Sequence, residues 1–521
     1  MKKSLTLLFC AVFSLSGILL NAQPCGVSQQ LTPQQQVSLD SFAVLLDTAL
    51  KHEDLADIQL RAAQIETLLG NQAGIPEAPE TYFTLTSNTQ WASYNDALLA
   101  ERYLIAQDSL AYVDLWKLGK GMFPPAYQPH SVPLRACAEL AMGLLKISFH
   151  EADPVRSIAY ESWAKRALDS LKTMQLPSGA FPFPDLRPYN DPVFSPIIQN
   201  YLNALGSDSV NVLQNGWIID DSGTSEFKFD AGVIANAFYY GWLETGDTSY
   251  ITVVTRIANY LRSTSFNTNF NYNSFSILGL TRAWQITGDT SYHNRAIKNL
   301  EYAMLPGQLA NGRWMDGHNA RSVYHALMIY NTIPLLKSTP QNHPKYQTIA
   351  QLIRSAVINL NIYSHTCESA TGFRWLIAAN DLPFGFFTNA TADSLSDYLG
   401  RYTQQMMISG RYTDIPTIGD YMRLMNVVAG TSETPQQPLQ AVVFPNPASN
   451  EIVVNISLTE NAPVTITVYD LAGKQVLDPQ QSALSAGMNT VKLNITALPP
   501  GYYLLHCTGN TGRQSIPLVK Y

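Results

Sequence analysis

Asp230 to Arg262 reads DAGVIANAFYYGWLETGDTSYITVVTRIANYLR, and its central Thr-Gly-Asp-Thr-Ser-Tyr (Thr245–Tyr250) returns at Thr287–Tyr292. The 42-residue offset from 245 to 287 fits one helical hairpin with its connections, and self-similarity at such a period marks repeat architecture. Asp230–Glu244 is apolar around nearly its whole circumference, so the spacing predicts a helix buried on all sides. Gly246 suits a helix C-cap and Asp247 the next N-cap. Thr248–Arg262 is amphipathic, with Arg256 and Arg262 placed to face water.

The second copy follows the same plan: Tyr272–Ile286 apolar, Gly288-Asp289 as the turn, Thr290–Met304 amphipathic. In a third copy the hexapeptide is gone, and Ala320–Lys337 leads through a Pro-containing turn to Tyr346–Leu360. Tyr250 and Tyr292 are expected to pack back onto the preceding helix. Upstream, helical stretches are expected at Thr32–Leu50 (Thr32 as cap, Pro33 in the first turn), Leu55–Leu69, Tyr94–Leu118, Leu134–Ser148, Val155–Met174 and Pro192–Leu205.

Alternating buried and amphipathic helices imply two concentric layers. Over about residues 90–400 this pattern resembles the α/α toroid shared by many glycoside hydrolases, polysaccharide lyases and epimerases, the six-hairpin glycosidase-like folds. The resemblance implies a carbohydrate-active protein.

The two ends of the chain read differently. Lys2 and Lys3, the mainly apolar Leu5–Leu20 and the small exit Asn21-Ala22 read as a secretory signal ending before Gln23. Neither Cys10 nor Cys25 follows a convincing lipobox, and no later apolar run approaches a membrane span. Cys25, Cys137, Cys367 and Cys507 are scattered without Cys-x-x-Cys spacing, which fits isolated buried thiols and no zinc site. Thr431–Gln440 has linker composition. Beyond it the period becomes alternating: Glu451–Leu458, Val464–Tyr469, Thr490–Ile495 and Tyr502–His506 are short β-runs, and together they predict a small β-sandwich.

Four ordered motifs mark that sandwich: Val443-Phe444-Pro445-Asn446-Pro447, Val468-Tyr469-Asp470-Leu471-Ala472-Gly473-Lys474, Leu498-Pro499-Pro500-Gly501-Tyr502-Tyr503, and Lys520. In these it resembles the type A sorting domain of the type IX secretion system of Bacteroidetes, over residues 441–521. The resemblance implies passage through the inner membrane and recognition by the outer-membrane translocon. An accessory sandwich such as a carbohydrate-binding module is the alternative.

The expected organisation is therefore a signal peptide (1–22), an N-terminal helical segment (23–90), a mainly α toroid of helical hairpins (91–430), a linker (431–440) and an all-β sorting sandwich (441–521). With 46% apolar and 14% charged residues a large core is available. A net charge of −7 gives no basic surplus for nucleic acid.

The hexapeptides are short turns on one face of the toroid, so chemistry is expected in the longer loops at the other: Gln175–Asp191, Gln214–Asp230, Leu309–Arg321 and Glu368–Asp381. Three carry a small-Gly-aromatic theme: Ser178-Gly179-Ala180-Phe181, Asn215-Gly216-Trp217 and Asn311-Gly312-Arg313-Trp314. Such aromatics either plug the barrel end or stack on pyranose rings.

A glycosidase needs an acid and a carboxylate flanking the bond. Asp220 or Asp221 with Asp316 is the candidate pair, and Glu226 and Asp230 are further candidates. A uronate lyase or epimerase needs a base and a cation beside the sugar carboxylate. His318, Tyr324 or His325 could be the base, with Arg313 and Arg321 as cations. Trp217, Trp314 and Trp375 would contribute ring faces. His318 and His325, seven residues apart, would share a helix face if the helix starts early enough. No HExxH, EF-hand, P-loop, GxGxxG or GxSxG motif occurs, so no metal or cofactor is expected. The competing reading is a non-catalytic surface component that binds a glycan or protein.

Overall fold

The computed structural model describes residues 24–25, 29–77, 80–81, 134–150, 154–190, 194–220, 226–364, 440–446, 448–458, 460–470, 475–499, 501–509 and 512–520. The expected leader 1–22, the helix Tyr94–Leu118, the loop Glu368–Asp381 with Trp375, Asp221, Cys367 and the linker 431–439 lie outside the described residues.

The chain begins with a helix pair, α1 (Pro33–Lys51) and α2 (Leu55–Leu69), packed on each other. Thr32 opens α1 with a capping box: its hydroxyl accepts from the Gln35 backbone N–H, and Gln35 Oε1 accepts from the Thr32 N–H. Among the described residues four hairpins follow. They are α3 (Leu134–His150) with α4 (Pro154–Thr173), α6 (Glu226–Thr245) with α7 (Ser249–Ser263), α8 (Phe270–Thr287) with α9 (Thr290–Asn299), and α10 (Ser322–Ser338) with α11 (Tyr346–Ser364). Between the first two hairpins lie α5 (Phe194–Leu205) and a small antiparallel sheet of two-residue strands, Phe183–Pro184, Trp217–Ile218 and Leu213–Gln214.

The inner row runs α3, α6, α8, α10, each helix packed on the next, and α7 lies over both α6 and α8. This is the two-layer toroid. Its most enclosed member, α8, is buried from Phe270 through Trp284 and again at Ile286, as an inner helix flanked by two others and covered from outside must be. The inner helix α3 begins at Leu134 as the sequence suggested, but the later inner helices begin elsewhere. α6 starts at Glu226, four residues before Asp230, and α10 starts at Ser322 and not at Ala320. The expected helix to Met304 changes its winding at Leu300–Met304, which forms a single π-turn.

The hexapeptides form matching caps. Gly246 and Gly288 have φ of +69° and +70°. Their N–H groups donate to Trp242 O and Trp284 O, at 2.9 and 2.8 Å. Asp247 and Asp289 accept from the Ser249 and Ser291 N–H groups, at 2.9 and 2.8 Å. Each terminal tyrosine then fastens its outer helix to the previous one. Tyr250 donates to Asp169 on α4 at 3.1 Å, and Tyr292 donates to Asn259 on α7 at 3.0 Å. Lys165 and Arg262, from those same earlier helices, lie over the two rings. Tyr250 also packs on Phe238 of the preceding inner helix, as expected, whereas the Tyr292 hydroxyl is held by the outer layer.

A second repeat joins the hairpins at the opposite end. Gln175-Leu176-Pro177-Ser178-Gly179 and Gln308-Leu309-Ala310-Asn311-Gly312 fold alike. In each, the glutamine Nε2 donates twice: Gln175 to Gly179 O and Val253 O, both 3.1 Å, and Gln308 to Gly312 O and Leu352 O, at 3.2 and 3.0 Å. The glycines have φ of +96° and +86°, and each sits against the backbone of an outer helix, at Arg256 O and Ser355 O. A Cβ there would lie inside hard-sphere contact of those carbonyl groups.

The C-terminal sandwich contains β1 (Gln440–Phe444), β2 (Glu451–Leu458), β3 (Ala462–Asp470), β4 (Gln480–Leu484), β5 (Gly487–Asn494), β6 (Gly501–Gly509) and β7 (Gly512–Lys520). One sheet has the order β5-β2-β1 and the other β7-β6-β3-β4, with neighbouring strands antiparallel throughout. Alternate residues, among them Ile452, Val454, Ile456, Val464, Ile466, Val468 and Leu505, fill the space between the sheets. Cys137 and Cys507 are free and buried, one in each core.

Gly312 and Gly216 both have positive φ, but Gly216 (φ +81°) has open space where a Cβ would stand. Gly216→Ala should therefore cost about 1 kcal/mol from backbone strain alone. Gly312→Ala should exceed about 3 kcal/mol, because the Ser355 backbone must also move. Denaturant titration of the two variants against the parent checks the difference.

Candidate functional site

The N-terminal ends of the inner helices collect an unusual number of buried polar side chains: Arg135 on α3, Lys228 and Asp230 on α6, Asn271 and Asn273 on α8, and His325 on α10, with His318 and Asn319 just before α10. An inner-helix N-terminus exposes backbone N–H groups with no intrahelical partner, so polar side chains gather there. Burial then obliges each of them to find a partner.

The best-connected group centres on His318. Its Nδ1 lies 3.1 Å from Glu77 Oε1, its Nε2 lies 3.3 Å from Asn271 Nδ2, and its ring packs against Tyr324 at a tilt of 45° with centroids 4.0 Å apart. An imidazole between a carboxylate and an amide N–H is satisfied as the Nδ1–H tautomer, donating to Glu77 and accepting from Asn271. Arg321 Nη1 is 3.7 Å from the same Glu77 oxygen, and its guanidinium lies over the Tyr324 ring. Tyr324 and Arg321 thus flank one face of a His–Glu pair.

Glu77 comes from the N-terminal arm, far from the toroid in sequence. The arm is stitched on by two backbone bonds, Gly74 N–H to Met315 O at 2.9 Å and Glu77 N–H to Gly317 O at 2.7 Å, while Gln29 N–H to Pro76 O at 2.6 Å ties the arm to itself. Gly317 is covered by Gln29 and Glu77, with no room for a Cβ. Further out, Glu53 is bound by Arg295 at 2.5 Å and by Lys298, tying the arm to α9.

The other candidates occupy varied settings. Asp316 is half-buried; it accepts from the Asn319 backbone N–H at 2.8 Å and from Asn319 Nδ2 at 3.0 and 3.1 Å on its two oxygens. Burial raises its pKa above the ordinary carboxylate value, against the opposing pull of His318 and of the Asn319 donors. Trp314 is fully enclosed, donates from Nε1 to Met304 O at 3.3 Å and meets His325 edge-on at 5.2 Å, so neither ring face is open for stacking. His325 is fully enclosed too and bonds through Nε2 to Ala356 O at 2.9 Å. Burial, with Arg313 nearby, pulls its pKa down to about 3. Arg313 is buried and donates to Ala320 O at 2.6 Å.

The expectation that His318 and His325 share a helix face fails. α10 begins only at Ser322, so His318 lies in the preceding turn and packs against Tyr324, while His325 points beneath Trp314.

Asp230 is fully enclosed and ion-paired with Arg135, whose guanidinium lies 4.1 Å over the Phe229 ring. Asp220 is exposed, and its backbone carbonyl accepts from Tyr201 at 2.9 Å. Trp217 is half-buried in the hairpin whose Asn215-Gly216 turn has φ of +52° and +81° at its two central residues. Glu226 lies in the first turn of α6, Asp221 and Trp375 lie outside the described residues, and no group of three or more His, Cys, Asp or Glu side chains suited to a metal ion occurs among the described residues.

Of the residues grouped around His318, the sequence points to Tyr324 and Arg321 but not to Glu77, Asn271 or Asn319. Glu77 carries no local signal, since Gly74-Ile75-Pro76-Glu77 reads as an ordinary connection. The two asparagines were hidden among helix-end polar residues.

Comparison with known proteins places the C-terminal sandwich. Residues 442–520 match the secretion system C-terminal sorting domain, so this part of the chain is a type IX sorting tail that marks the protein for the cell surface or the medium. No curated protein matches the chain. Similar solved structures include a polysaccharide lyase (12% identity, 62% of this chain and 99% of that one, TM-score 0.39). Another is the GH127 β-L-arabinofuranosidase of Geobacillus stearothermophilus T6 (9%, 94% and 86%, 0.37). A third is endoglucanase CelQ of Clostridium thermocellum complexed with cellotriose (13%, 65% and 72%, 0.26). Likeness of this degree assigns neither a substrate nor residue roles.

The enclosed histidines set a pH response. His325 and His293, the latter pulled down to about 4 chiefly by burial, are neutral in the fold, whereas unfolded histidine titrates near 6.5. Below that pH the unfolded chain binds protons that the folded chain refuses, so stability falls as pH drops from 6.5 toward the folded values. Urea midpoints measured between pH 6.5 and about 5 should show this slope, and it should shrink in His325→Gln.

Proposed function

We propose that the chain is an exported carbohydrate-active protein that cleaves a polysaccharide or oligosaccharide at the face carrying His318, and that the cleavage is lyase-type elimination on a uronate. The observation that carries this reading is the grouping of His318, Glu77, Tyr324 and Arg321 at the inner-helix N-termini. Elimination needs a base for the proton on the carbon beside the carboxylate, a cation to stabilise the charge that develops, and a proton for the departing glycosidic oxygen. His318 Nε2, reached when substrate displaces the long 3.3 Å Asn271 contact, is the base. Arg321 is the cation, and the Tyr324 hydroxyl is the proton source. The C–H proton passes to the imidazole, a carbon–carbon double bond forms, the glycosidic C–O bond breaks, and the leaving oxygen takes the tyrosine proton.

A hydrolase built on Asp316 and Asp220 is the weaker variant, because both Asp316 oxygens are occupied by Asn319. The non-catalytic binding reading draws on the enclosure of Trp314, His325 and Asp230, which all have structural partners. Residues 1–22 act as the signal peptide for inner-membrane passage, ahead of type IX export typical of Bacteroidetes.

The test is incubation of the chain with neutral and uronate polysaccharides, reading reducing ends and the ultraviolet absorbance of unsaturated uronates. Elimination predicts both signals on a uronate polymer, and a loss of at least about 100-fold in kcat for His318→Ala. Reducing ends without absorbance would replace the lyase with a hydrolase, and neither signal on a broad panel would favour the binding reading.

A further inference from the structure

A cavity of about 600 Å³ lies away from His318, between α5 and the turn that follows it, lined by Arg187, Gln199, Leu202, Asn203, Ser209 and Val210 among others. Its volume is in the range of small-molecule and sugar sites. One wall is a chain of polar groups. Buried Asp185 grips Arg187 as a fork, Nε and Nη2 each at 2.9 Å, and also accepts the Arg187 backbone N–H at 3.1 Å. Arg187 Nη1 then donates to Gln199 Oε1 at 3.0 Å, and Gln199 Nε2 donates to Asn203 Oδ1 at 2.8 Å. Asp185 is itself fixed to the small sheet through its N–H bond to Gly216 O, at 2.8 Å. The lining also includes Leu202, Leu213 and Val210, the last at 73% exposure the most open large hydrophobic side chain among those described.

We infer that this cavity is a glycan-binding subsite for a neutral, hydroxyl-rich oligosaccharide. Each amide oxygen along the chain uses one lone pair on the next donor and keeps the other. The wall therefore offers a ligand both kinds of group: guanidinium N–H groups of Arg187 not used by Asp185 or Gln199, the second Gln199 N–H and the Asn203 amide N–H groups as donors, and the remaining lone pairs of Gln199 Oε1 and Asn203 Oδ1 as acceptors. A sugar hydroxyl both donates and accepts, so a mixed wall suits it. A uronate or phosphate only accepts and gains most from net positive charge, and Asp185 cancels that of Arg187. Leu202, Leu213 and Val210 offer an apolar floor for the C–H face of a pyranose ring. The donors are already held in place, so binding orders few side chains.

This assignment does not depend on the cleavage reaction. If the chain cuts a uronate-containing glycan, the subsite holds neutral residues of that polymer outside the bond being cut; if it does not, the subsite is a binding site in its own right.

The test titrates the full chain with cellohexaose, mannohexaose and hexagalacturonate, followed by calorimetry and by heteronuclear NMR. The expected result is saturable binding of a neutral hexaose, weakened about threefold to tenfold in Asn203→Ala and in Gln199→Ala. The exposed Asn203 and Gln199 make both variants safe for folding, and unchanged melting temperatures confirm it. His318→Ala should leave this binding intact even where it abolishes cleavage, which separates the two readings. No saturation by either neutral hexaose, binding unchanged in both variants, or tighter capture of hexagalacturonate through these residues would each overturn the assignment.

Discussion

The arrangement depends on two places where a loop crosses an outer helix with nothing between the two backbones. At Gly179 and Gly312 the loop rests on the Arg256 and Ser355 carbonyls, and a glutamine four residues earlier spans the crossing with two hydrogen bonds. Each crossing sets the height of one hairpin against another. At the opposite end Tyr250 and Tyr292 link each outer helix to its predecessor. The hairpins are thereby clamped at both ends, and the inner row can carry polar residues at its N-termini while keeping a continuous apolar core.

The same clamps explain why two conspicuous aromatics are sealed. Phe181 and Trp314 stand two residues after the crossing glycines, so the turn that brings the loop onto the outer helix carries the ring that follows into the core. Trp217 follows a different glycine in a two-residue hairpin turn, and it stays half-buried. One sequence theme thus covers two unrelated turns. The polar face is left to His318, Tyr324 and Arg321, whose loop lies just beyond the sealed tryptophan.

Much of this was legible beforehand where the cause is local. Capping by Thr32 and Asp289, glycine at +70° after an apolar helix, and the alternation of β2 and β3 are set by residues within a few positions of one another. Hairpin order and the sorting sandwich followed from these. The unread parts have distant causes. The Gln175 and Gln308 bonds reach Val253 and Leu352, so a glutamine that reads as ordinary loop polarity becomes a strut. His318 was singled out, but its carboxylate partner lies 241 residues away. Helix starts were misjudged at Glu226 and Ser322 because the apolar pattern begins later than the first turn at one and earlier at the other.

The arm that delivers Glu77 also has a meaning for the order of folding. Glu53 meets Arg295, and Glu77 meets His318, across separations of 242 and 241 residues. Closing contacts so remote in sequence is entropically slow, while the hairpins close over short loops. The repeats therefore assemble first, and the earliest-made stretch of chain docks last. The Glu77–His318 contact joins the N-terminal arm to the loop before α10. The imidazole therefore meets its carboxylate only after the described hairpins have placed that loop where the arm can reach it.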